Sequence, residues 1–347
     1  MGEEERGGER PGEWKRRLKR VPGAVAAYRW LRHGWWRLRA GLAVGSGAKR
    51  RVAGVWGGDA RERAARTPRD WLDSQEVLWR YVFPQFGGDD WYQYVKHRYC
   101  AEPRALGLSL CCGDGHIERD FIKRGLCAQA EGVDVAPEAV AVCRREAEAA
   151  GLSDRLSYRV ADVERARLPA DRYDIVVAWM ALHHVRRLGH VFREVRRALR
   201  PGGIFVVNEY VGPSRFQVPV PRVEFINSLL RELPGELRRT QGGWVKERFE
   251  RPLLWEIVNH DPSEAVRSDR ILPLLRRHFA LAECIGYGGT VLYWLLQGIV
   301  HNFDPDDPEH RAHLDRLYAA EREALASGRL QSDFAFAVAR APADGVG

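Results

Sequence analysis

Six cysteines, at positions 100, 111, 112, 127, 143 and 284, are all that 347 residues supply, and they form neither a CxxC pair nor any metal-ligand spacing. A disulfide framework and a cysteine-held metal are set aside. Reduced, partly buried thiols in a cytoplasmic protein are the expectation, and no metal is expected. No run of about 18 apolar residues occurs, so a spanning helix is not expected. The start, MGEEERGGER, lacks the basic-then-apolar design of a signal peptide. Internal repeats are absent, and so is low-complexity sequence beyond the first dozen residues.

What is present argues for a folded globular chain, since hydrophobic residues make up 45% and tryptophan occurs twelve times. The charge is uneven. Of the net +8, residues 1–69 carry +11 from 18 Lys and Arg against 7 Asp and Glu, which leaves −3 for the other 278. Within that basic section Trp14, Leu18, Val21, Val25, Tyr28, Leu31, Trp35, Leu38 and Leu42 recur by threes and fours, as one face of a helix does. Pro22, Gly23, Gly34 and Gly41 divide it into short pieces. Such a face can cap the rest of the chain, pair with a partner helix, or lie on an anionic membrane through residues 14–42. Charge alone does not point to nucleic acid, although the sequence pI is about 9.3.

The stretch Ala105 to Asp134 organises the remainder. Leu106, Leu108 and Leu110 begin an apolar run ending at Cys111 and Cys112, short enough for a buried parallel strand. Gly113 and Gly115 turn the chain into a helix from about His116 to Lys123, whose first amides face whatever binds there. A second strand, Ala130 to Val133, ends in Asp134, where a carboxylate can take both hydroxyls of a ribose. Leu156 to Val160 ends at Ala161 and Asp162. Tyr173 to Trp179 runs into MALHHV, and a helix over Leu188 to Leu199 precedes LRPGGIFVVNEYVG. A GxG turn by itself reads equally as a tight strand-to-helix turn, so the weight lies in the series.

In this order and spacing the series, strongest over Leu106 to Glu209, resembles the class I, Rossmann-like S-adenosylmethionine-dependent methyltransferases, in particular bacterial ones acting on small molecules or glycans. The resemblance implies an α/β fold with a seven-stranded, mostly parallel Rossmann-like sheet whose last strand is antiparallel, a helical N-terminal extension, and helical insertions after strands 5 and 6. It implies S-adenosyl-L-methionine as cofactor, held by Cys112, Gly113, Gly115, Asp134, Val135, Asp162, Val163 and Trp179. Gly113 and Gly115 would lie beside the methionine part, Asp134 on the ribose, and Asp162 near the adenine amino group. Two positions depart from the pattern: Ser109 stands where an acidic residue is usual, and Cys111 where the first glycine is.

The domain reading is a basic extension at 1–66 and a methyltransferase domain at 67–347. Its core is 104–211, an acceptor-side insertion occupies 212–278, and strands 6 and 7 with a helical insertion occupy 279–340. Helices are expected near Val223 to Leu233, Ala265 to His278, Val291 to Val300 and Glu309 to Ser327. The aromatic segment from Thr67 to Cys100 either closes over the cofactor or packs the sheet edge, with Asp70 or Ser74 capping a helix.

Ligands in such folds sit at the carboxyl ends of the strands, which nominates His183, His184 and Glu209 for the chemistry. A histidine is a suitable base at neutral pH, and related LHH segments favour His184 over His183. Arg215, Glu264, Arg267 and Tyr287 could line an acceptor site; equally, Asp261 and Ser263 could only cap a helix carrying Arg267. The expected reaction is methyl transfer to a hydroxyl of a small molecule or glycan. Amino methylation of nucleic acid is disfavoured, because AWMALHH stands where such enzymes carry an Asp/Asn-Pro-Pro-aromatic motif. A non-catalytic scaffold and an NAD(P)-dependent oxidoreductase are the alternatives. GDGH falls short of the full GxGxxG fingerprint of the latter.

Overall fold

Short apolar strands alternating with amphipathic helices bury every strand on both faces only if the strands run parallel in one sheet with helices on either side. The computed structural model describes residues 70–341. The expected membrane or capping stripe at 14–42 lies outside the described residues, as do the rest of 1–69 and residues 342–347.

Seven strands form the sheet: β1 (Arg104–Leu110), β2 (Cys127–Asp134), β3 (Leu156–Val160), β4 (Tyr173–Trp179), β5 (Leu199–Tyr210), β6 (Ala280–Gly288) and β7 (Phe334–Arg340). Their order is β3-β2-β1-β4-β5-β7-β6. Pairings from β3 through to β5 are parallel, and β7 is antiparallel to both β5 and β6, as expected. The chain walks outward from β1 to β3, then returns to β4 on the other side of β1. The loops leaving β1 and β4 therefore part at a switch point and open a crevice at the carboxyl edge.

Helices α1 (Trp91–Tyr99), α2 (His116–Lys123), α3 (Pro137–Ala149) and α4 (Leu188–Ala198) flank this sheet. Helix α4 shows why it forms where it does. Leu188, Val191, Phe192 and Val195 fall at helical spacing and are all buried against the sheet, each contributing about 1.5–3 kcal/mol. Phe192 packs edge-on to Phe205 of β5 at 6.1 Å, so Phe192→Ala would cost roughly 3–5 kcal/mol.

The insertion after β5 holds α5 (Val220–Arg231), α6 (Leu254–His260) and α7 (Ile271–His278). The helix expected from Ala265 begins only at Ile271. Ala265 has φ 43°, its carbonyl accepts the Arg215 amide at 2.6 Å, and the next amide, Val266, donates to the His183 carbonyl at 2.9 Å. These tertiary bonds divert the backbone, so Arg267 sits on a loop and Asp261 with Ser263 caps no helix. Between β6 and β7 the apolar helix is also shorter than expected, α8 (Leu292–Leu296), and is followed by α9 (Pro308–Ala326). Lys246 Nζ donates to the carbonyls of Trp294, Leu295 and Gln297 at 2.8, 2.9 and 2.8 Å, which satisfies the end of α8 and lets it stop. Its start is held by buried Glu321 of α9, which accepts the Val291 and Leu292 amides.

Ahead of β1, Asp70 caps Trp71–Asp73 and Ser74 caps Gln75–Val77, so both expected caps are used. Trp71 is fully buried, stacked on Tyr287 at 6.2 Å and tilted on Phe334 at 5.3 Å. This part of the segment packs the sheet edge. Tyr92 of α1 instead stacks on Trp179 at 5.5 Å, which brings the segment's other end to the crevice. No helix among the described residues is long and apolar enough to cross a membrane.

Candidate active site

The glycine turn after β1 is a run of positive-φ backbone: Cys111 at 51°, Gly113 at 57° and Gly115 at 75°. Gly115 is required twice over, since a Cβ there would lie 2.8 Å from the Tyr158 hydroxyl and 3.0 Å from Cys143 Sγ. At Gly113 a Cβ would meet nothing within 4 Å, so that side of the turn is open to a neighbour. The Cys112 amide donates to the Val133 carbonyl at 3.0 Å, fixing the turn against the end of β2. There Asp134 accepts the Gly113 amide at 3.1 Å and the Ala136 amide at 2.9 Å, so its carboxylate is set before any ligand arrives. Asp162, at the end of β3, accepts the Glu164 amide at 3.0 Å. Val135 and Val163 follow these acids, half-buried, and Trp179 ends β4 with Tyr92 against its face. An open turn, two placed carboxylates and an aromatic wall suit the methionine, ribose and adenine parts of S-adenosylmethionine in turn.

A carboxyl does stand beside Ser109. Ser109 is buried, and Glu118 of α2, also buried, brings its carboxyl against it. Neither Glu118 oxygen makes a well-formed hydrogen bond. Burial pushes this carboxyl up to about 7, against the pull of the Ser109 hydroxyl. Its place on an otherwise apolar helix face, one residue after Ile117 and ahead of Phe121 and Ile122, was the signal available in the sequence.

Beyond Trp179 the chain reverses sharply, with Met180 at φ 48°. The turn is tied to β5: the Met180 amide donates to the Asn208 carbonyl at 2.8 Å, and the Ala181 and Leu182 amides both donate to Glu209 Oε1. The other Glu209 oxygen takes His183 Nδ1 at 2.8 Å. Glu209 is fully buried and both oxygens are engaged, so it orients His183 and is not itself placed to accept an acceptor's proton. Because β4 pairs β1 up to Ala178 opposite Leu110, this turn lies one strand from the glycine turn.

The insertion covers the two histidines. His184 Nδ1 lies 3.1 Å from Ser263 Oγ, and Ser263 gives its own proton to Asp261 at 2.6 Å. Ser263 can then only accept from His184, which assigns the proton of that ring to Nδ1. Glu209 assigns it likewise in His183, so both rings carry their lone pair on Nε2. Burial lowers the His183 pKa, but Glu209, Glu264 and Asp261 outweigh it and hold His183 above its ordinary value. Burial, His183 and Arg215 hold His184 well below. Glu264 approaches His183 Nε2 at 3.7 Å, and burial raises its carboxyl. His183, His184 and Glu264 can each present a ligand atom within 4.8 Å of the others, a cluster with no local spacing in the sequence.

The other expected acceptor residues separate. Arg215 donates to the carbonyls of Glu264 and Pro262, both at 2.8 Å, so it clamps the loop over the histidines. Arg267 donates to the Arg186 carbonyl at 3.0 Å and ties the same loop to the turn after β4. Tyr287 is fully buried behind Trp71, and its hydroxyl donates to Asn208 at 2.7 Å. It is a core residue, because the segment ahead of β1 packs over it through Trp71. Half-buried Phe216, reached through Tyr210, which is edge-on to His183 at 6.4 Å, was not anticipated.

Residues 108–203 match the family model of a methyltransferase domain. Among curated proteins, a sterol 4-C-methyltransferase of Caenorhabditis elegans is 28% identical over 138 residues, 38% of this chain and 41% of that protein. A ubiquinone biosynthesis O-methyltransferase of Methylobacterium sp. (strain 4-46) is 35% identical over 107 residues, 30% of this chain and 41% of that protein. The chain thus matches less than half the length of these relatives. Among solved structures, the geranyl diphosphate C-methyltransferase of Streptomyces coelicolor A3(2) aligns over 72% of this chain and 79% of its own, at 15% identity and a TM-score of 0.44.

Proposed function

From the premise that residues 108–203 are a methyltransferase domain of the S-adenosylmethionine-dependent class, we propose that the protein methylates a hydroxyl of a small-molecule acceptor bound against His183. The observation that carries this reading is the Glu209–His183 pair, 2.8 Å apart and fixed by two backbone amides, one strand from the cofactor turn. S-adenosylmethionine supplies an electrophilic methyl group whose bonding electrons stay with sulfur as it leaves. The protein's task is then alignment, exclusion of water, and removal of the acceptor's proton. His183 Nε2 is the favoured receiver of that proton, ahead of His184, because Glu209 bonds His183 directly at 2.8 Å, whereas Asp261 stands 3.6 Å from His184 Nδ1 and acts through Ser263.

Half-buried Trp179, Tyr92, Phe216 and Tyr293 around the crevice favour an acceptor with an apolar body and a polar oxygen. Curated relatives named for sterol and ubiquinone substrates fit that description. The test is incubation of the full chain with methyl-labelled cofactor and cell extract, followed by mass spectrometry. Label on the oxygen of a small molecule is expected. Label on carbon, nitrogen or a glycan would reject the acceptor reading, and tighter binding of NADH than of S-adenosylhomocysteine would reject the class.

A further inference from the structure

We propose that His183, His184 and Glu264 form a binding site for one divalent transition ion, with two imidazole nitrogens and one carboxylate oxygen as ligands. The donor set comes from two distant segments, the turn after β4 and the loop at 261–266, which the Val266–His183 backbone bond and the Arg215 clamp hold face to face. Both rings have Nδ1 committed to an oxygen, Glu209 for His183 and Ser263, backed by Asp261, for His184. That is the arrangement in which a carboxylate or hydroxyl behind a histidine fixes its tautomer and raises the basicity of the opposite nitrogen for a metal.

Charge supports the same assignment. Glu209 and Asp261 are almost completely buried, and with Glu264 they set three carboxylates around the two rings, with the guanidinium of Arg215 beside them. Arg186 lies close enough to act on Arg215 as well, and a cation bound between the rings would sit against the three carboxylates. Bonds of about 2.0–2.2 Å hold ligand atoms roughly 3.0–3.5 Å apart, so the present spread, within 4.8 Å, must close by about an ångström. Glu264 Oε1 already lies 3.7 Å from His183 Nε2, and its side chain, 26% exposed, leaves a path for the ion. Two imidazoles with one carboxylate suit zinc, manganese, iron or cobalt and suit magnesium or calcium poorly, and three protein ligands leave positions open. An ion there would occupy the Nε2 lone pair of His183, so ion binding and the base role proposed for His183 exclude one another at any one time; the ion site itself does not depend on that role.

The test is titration of the full-length protein, free of metal and of any polyhistidine tag, with Co²⁺. One equivalent should bind and give visible d–d absorption, and the imidazole ¹⁵N resonances of His183 and His184 should shift before those of other histidines. Glu264→Ala, chosen because the residue is partly exposed, should weaken binding at least tenfold, and Glu209→Gln about 10- to 100-fold. S-adenosylhomocysteine affinity, measured on each variant, reports that the domain is intact and separates this site from the methyltransferase reading. No stoichiometric binding at millimolar Co²⁺ would overturn the site, as would shifts confined to other histidines or unchanged affinity in Glu264→Ala.

Discussion

Replacing Glu209 by glutamine changes one charge and almost no volume, which makes it a sharp probe of the site. In the parent, Oε1 accepts the Ala181 and Leu182 amides and the other oxygen accepts His183 Nδ1–H. The amide of glutamine has one oxygen, and the two backbone donors will hold it. Its NH₂ must then face His183 Nδ1, which can only pair by becoming an acceptor. The ring proton moves to Nε2, and the lone pair that would receive the acceptor's proton is lost. Turnover should fall by about 10²- to 10⁴-fold, the usual worth of a general base, with S-adenosylhomocysteine affinity within about twofold, since Glu209 is not among the residues assigned to the cofactor. Loss of the charge from three hydrogen bonds, about 1 kcal/mol each, should be partly offset by easier burial, giving a net destabilisation of about 1–3 kcal/mol. The His183 pKa should drop from above its ordinary value to below it, because Glu209 is the largest influence opposing burial. Imidazole ¹⁵N shifts read the tautomer without any acceptor in hand, and turnover is read on the acceptor found by labelling. An unchanged Nδ1–H tautomer with turnover within threefold of the parent would refute the reasoning.

Asp134→Ala should weaken S-adenosylhomocysteine binding in calorimetry by about 1.5–3 kcal/mol, the range for a charged hydrogen bond; unchanged affinity would remove Asp134 from the ribose. Glu118 has a folded pKa of about 7, above the roughly 4.3 of an unfolded chain, so its contribution to stability is full below that lower value and lost as pH rises through 7. Glu118→Gln should therefore gain on the parent by on the order of 2–3 kcal/mol between pH 5 and pH 8, and a pH-independent difference in urea unfolding would contradict this. Ser109→Asp alone should destabilise by setting a second acid against Glu118, and Ser109→Asp with Glu118→Thr should recover most of the loss; additive effects would mean the two do not interact. Cys111→Gly should raise stability by about 1–2 kcal/mol, since the residue sits at φ 51° where only glycine avoids strain. The stripe at 14–42 should carry the full-length protein down with anionic liposomes at low salt and release it at high salt; a protein that never sediments would exclude the membrane contact.

The sequence by itself determined the parallel core, the antiparallel seventh strand, the glycine turn after β1 and the positions of the acids at the ends of β2 and β3. These are local properties: strand and helix periods, glycine where φ must be positive, and a carboxylate at the last residue of a strand. It also placed His183, His184 and Glu209 at the right edge, because ligand sites follow strand ends. Tertiary structure alone decided their hydrogen-bond partners. That His183 is the histidine bonded directly to Glu209 depends on the register of β4 against β5, where Trp179 pairs with Asn208 and leaves Glu209 beside the next turn. Glu264, Ser263 and Asp261 reach the histidines across some 80 residues of sequence because Arg215 and Val266 bend the loop away from the helix its composition favours. The burial of Tyr287 beneath Trp71 is likewise a contact between distant segments. Side-chain periodicity says which face of an element is inside; it does not say what stands opposite, and at this site it is Glu209, opposite His183, that counters burial and decides which ring nitrogen carries the proton.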